Sequence, residues 1–138
     1  MKTILLALIT ATALSIGTAA AGELNTKLQT FLSQPQIEGT AVSKDDVNTL
    51  IATTTTALPG WESLPENAKI ATASVIYNRG IPDSKRPDMM NLKKQVAKGN
   101  INGIKKAIIA MNSYSRYNKE VAKQLLHRRT LEANLIKS

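Results

Sequence analysis

Beyond residue 22 the apolar side chains recur at spacings of three and four, and nowhere sustain the two-residue alternation of a strand. That periodicity confines the chain to helices packed on helices. Leu24, Leu28 and Phe31 fall on one side of a short first helix, which Pro35 and Gly39 bring to an end. Ser43, followed by Asp45 and Asp46, predicts the start of a second helix. A hydroxyl there accepts a free first-turn amide, and carboxylates complement the positive end of the helix dipole. Val47, Leu50, Ile51 and Thr54 continue it, while the β-branched run at 53–56 predicts fraying before Pro59 and Gly60.

Ser63 and Glu66 form a capping-box pattern with Pro65 in the first turn, and Ile70, Ala73, Ser74 and Tyr77 line one face of the helix that follows, as far as Gly80. Pro82 and Pro87 bound a loop. A helix over 88–98 buries Met89, Leu92 and Val96 and stops at Gly99. Asn100 caps the next, whose buried stripe is Ile101, Ile104, Ile108 and Met111. The last helix, over 118–137, turns Val121, Leu125, Leu131 and Leu135 inward. The expected fold is all-α, a compact bundle of about six short helices.

The chain opens with Lys2, an apolar run over 4–16, and small residues ending Ala19-Ala20-Ala21. This is the three-part pattern of a secretory signal peptide, with cleavage expected after Ala21 and Ala20 as the alternative. A run this short falls below the roughly 20 residues that span a bilayer. Removing 21 of the 138 residues leaves 117, enough for one hydrophobic core and not two. The expected organisation is a signal peptide over 1–21, a short helix and linker over 22–42, and a helical domain over 43–138, secreted or periplasmic. There is no cysteine, so packing alone must hold the fold, and with His127 as the sole histidine no metal site and no cofactor are expected.

The charge is lopsided. Residues 22–78 hold three basic and six acidic side chains, whereas 79–138 hold fourteen basic and four acidic. Such asymmetry points to a polyanionic partner. In an exported protein that means an envelope polymer or anionic head groups rather than nucleic acid, the plain alternative being lysines that merely solvate helix faces.

Three motifs then carry a likeness. Ser74-Val75-Ile76-Tyr77-Asn78-Arg79-Gly80, the loop Lys85-Arg86-Pro87-Asp88-Met89, and Arg128-Arg129-Thr130-Leu131-Glu132-Ala133-Asn134-Leu135 resemble motifs of the phage-type lysozymes, in that family's order and closest to its pesticin-like branch. Ser43-Lys44-Asp45-Asp46-Val47 is similar to the start of the helix that opens the family's larger lobe. The resemblance covers about residues 43–137 and implies the helical C-terminal lobe of such a lysozyme. Each motif also has a structural role: Gly80 stops a helix, Arg79 or Arg129 pairs with Glu132 or a helix carboxyl end, and Tyr77 packs with its hydroxyl at the rim.

The resemblance further implies a glutamic acid after the first helix and an Asp and a Thr in a small β-rich lobe, which together cleave peptidoglycan. Glycoside hydrolysis needs one carboxyl to protonate the leaving oxygen and a second group to activate water. Here only 21 residues separate the cleavage point from Ser43, with Glu23 and Glu38 as their sole carboxylates. Glu38-Gly39 stands where the family's catalytic Glu-Gly pair would, which makes Glu38 the one weak candidate acid; Asp45, Asp46 and Thr49 belong to the next helix. The expected function is an exported, lysozyme-like, non-catalytic protein that binds peptidoglycan or another envelope polyanion through Arg79, Lys85, Arg86, Arg128 and Arg129. The alternatives are a muramidase with a reduced active site, and an inhibitor or immunity partner of a muramidase with Trp61 as an interface anchor.

Overall fold

A computed structural model describes residues 16–111 and 119–137. The signal-peptide assignment lies outside the described residues as far as residue 15, as does Asn118 at the expected start of the last helix. Among the described residues the chain is helical, with no strand. The helices are α1 (Ile16–Leu32), α2 (Lys44–Ala57), α3 (Glu66–Arg79), α4 (Pro87–Lys98), α5 (Ile101–Ala110) and α6 (Lys119–Leu135), with one 3₁₀ turn at Trp61–Ser63. Helix α1 thus begins well before the Leu24 that periodicity marks.

Capping explains most boundaries. The Ser43 hydroxyl accepts the Asp46 amide at 3.0 Å and starts α2. Asn100 Oδ1 accepts the Gly103 amide at 3.0 Å and starts α5. Gly80 ends α3 at φ 83°, and Gly99 ends α4 at φ 65°, backbone angles that favour glycine. The Ser63–Glu66 capping box does not form: Ser63 closes the 3₁₀ turn, Pro65 occupies the N-cap without a side-chain bond, and Glu66 instead meets Lys27 Nζ at 2.6 Å. Nor does α2 fray at its threonines. The hydroxyls of Thr55 and Thr56 donate back to the carbonyls of Ile51 and Ala52, and the helix holds to Ala57.

Helix α3 is the hub. Every residue from Ile70 to Ile76 is buried, so this helix is packed all round rather than on one stripe, touching α1, α2, α5 and α6. Leu24, Leu28, Phe31, Leu32, Ile37 and Val42 join the same core as Met89, Leu92, Ile104 and Ile108. Residues 22–42 are therefore built into the domain rather than linked to it. Gln29 donates to the Val42 carbonyl at 2.9 Å, and the Val42 amide donates to Ser33 Oγ at 3.1 Å, folding the segment back along α1.

Trp61 is 2 % exposed, its indole N–H donating to Thr72 Oγ1 at 2.9 Å. It is a core residue and is not available as an interface anchor. Gly60, before it, has φ 94° and lies so close to α4 that an added Cβ would stand 3.1 Å from the Val96 carbonyl oxygen.

Helix α6 departs furthest from its periodicity. Its fully buried residues are Arg128, Arg129, Glu132 and Ala133, while Val121, Leu125, Leu131 and Leu135 are half-buried. The side turned to α3 is largely ionic. The apolar positions flank it, with Leu131 and Leu135 packing against the margin of the core.

Candidate functional site: a buried charge cluster and its rim

Sequence spacing assembles the cluster. Arg128 and Arg129 stand four and three residues before Glu132, so both guanidinium groups reach the same carboxylate. Arg128 Nε lies 3.2 Å from Glu132 Oε2, and Arg129 Nε lies 2.9 Å from Oε1. The second contact is an ion pair without hydrogen-bond alignment. From α3, the Ser74 hydroxyl donates to Glu132 Oε2. Arg128 Nη2 in turn donates to the Ser74 carbonyl at 2.9 Å and to Ser74 Oγ at 3.1 Å. Arg129 Nη2 donates to Asn78 Oδ1 at 2.7 Å.

The remaining nitrogen of Arg128 faces outward along the chain. Nη1 donates to the Ile37 carbonyl at 3.1 Å and forms an ion pair with Glu38. One guanidinium thus ties α6, α3 and the turn after α1 together. Among the described residues two cations, Arg128 and Arg129, meet two carboxylates, Glu132 and Glu38, and this pairing offsets the cost of burying the charges. Glu132 is 0 % exposed and Arg129 1 %, while the Glu38 side chain keeps 26 % of its surface. Burial pushes the Glu132 carboxyl above its usual range; the charge of Arg129, the Ser74 hydroxyl and Arg128 oppose that rise.

Where the cluster reaches the surface it has a polar rim. Tyr77, half-buried, is pushed up by burial and by the negative charges of Asp46 and Glu38, against a downward pull from Arg128. It therefore stays a neutral hydroxyl at pH 7. The charges of Asp46, Glu38 and Arg128 are thus all felt at the Tyr77 phenol, and of the two carboxylates Glu38 is the one paired with the guanidinium. Asp45, Asp46 and Thr49 lie on α2, as their place after the Ser43 cap predicts.

The other expected anion-binding residues form a separate structure. Arg79 pairs with Asp88. Arg86 donates to the carbonyls of Arg79 and Ile81 at the end of α3 and lies 3.3 Å from Asp83. A guanidinium there complements the negative end of the helix dipole. Burial alone would raise the Asp88 carboxyl, but the hydrogen bond and charge of Arg79, with the backbone amides of Met89 and Asp88, bring it below its usual range. Of the five expected cations, only Lys85 is exposed without an ion pair among the described residues. The four arginines are engaged within the molecule, Arg128 and Arg129 by burial and Arg79 and Arg86 by the 80–88 loop.

Sequence reading marked Arg128, Arg129 and Glu132 as a motif and allowed the Arg129–Glu132 pair, which forms. It placed Ser74 on one helix face with Ile70, Ala73 and Tyr77 and assigned its hydroxyl no partner. Its position on the α3 face opposite Arg128 is what makes it polar glue, and no local pattern announces that. Among the described residues no three His, Asp or Glu side chains gather as metal ligands, and no helix is long and apolar enough to cross a membrane. Comparison with protein-family models, with characterised proteins and with solved structures found no match.

Proposed function

We propose that this chain is an exported, lysozyme-like helical domain that binds peptidoglycan glycan strands without cleaving them. The observation that carries the reading is the state of Glu38. It is the only carboxylate in the position the lysozyme resemblance requires, and it is held by Arg128. The other carboxylate on that guanidinium, Glu132, is fully buried, so no sugar can lie between the two. Hydrolysis needs an acid free to meet the glycosidic oxygen and a second group with a water across the ring. This arrangement offers a fixed polar rim instead. Tyr77, Glu38 and Asp46 present a phenol and two carboxylates, groups that hydrogen-bond and pack against sugar hydroxyls and ring faces.

Binding and cleavage separate experimentally. Purified sacculi incubated with the protein at low salt should retain it, and cell-wall zymograms of the wild type and Glu38→Gln should show no clearing. Clearing by the wild type that Glu38→Gln abolishes would establish a muramidase in its place. No retention on sacculi would remove the glycan reading.

A further inference from the structure

The arginines and lysines of this domain have been sorted. All four arginines among the described residues are committed to internal partners. The α4–α5 pair is the reverse case: Lys93, Lys94, Lys98, Lys105 and Lys106 sit on two successive helices joined through Gly99 and Asn100, and none of them pairs with a carboxylate among the described residues. The one acid on these helices, Asp88, is taken by Arg79.

Their arrangement is regular. Met90, Lys94 and Lys98 follow one another at spacings of four and are all exposed, forming a stripe on the side of α4 opposite buried Met89, Leu92 and Val96. On α5, Lys105 and Ile109 are likewise four apart, with exposed Lys106 beside them, opposite buried Ile104, Ala107 and Ile108. Two large apolar side chains thus stand among the lysines, Met90 at 37 % and Ile109 at 49 % exposure.

We infer that the outer face of α4 and α5 is a docking surface for an anionic phospholipid membrane. The charge complementarity is direct: exposed Lys94, Lys98 and Lys106, with half-buried Lys93 and Lys105 beside them, pair with no carboxylate among the described residues and complement a surface of phosphodiester charge. Lysine presents a flexible point charge that needs no defined fork of acceptors, which suits a mobile array of head groups. Met90 and Ile109 can enter the acyl boundary while the lysine stems lie along it and their heads reach the phosphates. A nucleic-acid backbone would match the lysines but leave both apolar side chains without a role. The inference stands apart from glycan binding, which uses Tyr77, Glu38 and Asp46.

Sedimentation with vesicles tests it, using the purified chain and comparing phosphatidylglycerol with phosphatidylcholine, so that any apolar contribution common to both cancels. Binding should be stronger on phosphatidylglycerol and weaken with salt. Each lysine is expected to contribute about fivefold near an anionic surface, so Lys94→Gln/Lys98→Gln should lose roughly 25-fold. Met90→Ser/Ile109→Ser should weaken binding to phosphatidylglycerol further without altering the salt dependence. Lys119→Gln/Lys123→Gln on α6, equal in charge, should lose less than about threefold. Equal binding to both lipids, an equal loss from the α6 pair, or tighter binding to duplex DNA than to phosphatidylglycerol vesicles would overturn the inference. All these sites are exposed, and unchanged circular dichroism confirms that the variants fold.

Discussion

Glu132→Gln removes the negative charge on which α6 is built and leaves the shape of the side chain nearly unchanged. In the wild type, two guanidinium groups lie 2.9 and 3.2 Å from this carboxylate, and the carboxylate and Arg129 are no more than 1 % exposed. Without it Arg129 loses its carboxylate contact and keeps its bond to Asn78 Oδ1, and Arg128 keeps the Ile37 and Ser74 carbonyls with Glu38. Removing one member of a buried ion pair costs about 3–5 kcal/mol, because the remaining charge stays desolvated. A domain of this size has about 5–15 kcal/mol in total. With a urea slope of about 1–3 kcal/mol per molar, the midpoint should fall by roughly 1–5 M. Urea denaturation followed by far-UV circular dichroism measures this. Replacing the three side chains together, Arg128→Met/Arg129→Met/Glu132→Leu, should recover much of the loss, since an apolar cluster of similar volume carries no desolvated charge. A loss from Glu132→Gln below about 1 kcal/mol, or a triple variant less stable than the single one, would refute the view that Glu132 is needed to compensate the buried charge of Arg128 and Arg129.

Ser74→Ala should cost about 1–3 kcal/mol, the price of leaving a Glu132 oxygen and an Arg128 nitrogen short of the hydroxyl, read as a shift in the same urea midpoint. Gly60→Ala should destabilise by about 1–2 kcal/mol, because φ 94° disfavours any side chain and the Val96 carbonyl is backbone that cannot move aside easily. Thermal unfolding detects it, and an unchanged midpoint would contradict the close approach of Gly60 to α4. The Asp88 carboxyl lies below its unfolded value, so its pairing with Arg79 contributes stability that is present above about pH 4 and is lost as the pH falls through the lowered folded value. The pair is partly exposed and its contribution is less than about 1 kcal/mol. Asp88→Asn should abolish that part of the pH dependence, and a wild-type and a variant profile that stay parallel between pH 5 and pH 2 would argue against it.

The helix boundaries were legible where capping is local. Ser43, Gly80, Gly99 and Asn100 act within three or four residues of themselves, and the structure uses all four as their chemistry dictates. The Ser63–Glu66 pattern misleads because its outcome depends on a long-range competitor, Lys27 on α1, and on the 3₁₀ turn that claims Ser63. The face of α6 misleads for a related reason. Periodicity counts apolar residues, and at 128, 129 and 132 the buried side chains are charged. Their burial is intelligible only once Ser74, Asn78, Ile37 and Glu38 have been brought alongside from three other segments. The rim was legible in part: Glu38 stands out as the sole candidate acid and Tyr77 as a rim aromatic. That Arg128 would be the group holding Glu38 lies in tertiary structure, across a separation of 90 residues.

The central claim is that the rim over this cluster holds glycan, and titration of purified sacculi with wild-type protein and Tyr77→Ala tests it most directly. Loss of one aromatic contact of about 1 kcal/mol should weaken binding at least about fivefold, with unchanged far-UV circular dichroism showing that the variant, which loses a half-buried ring, is folded in the assay. Equal affinity of the two proteins for sacculi would contradict the account.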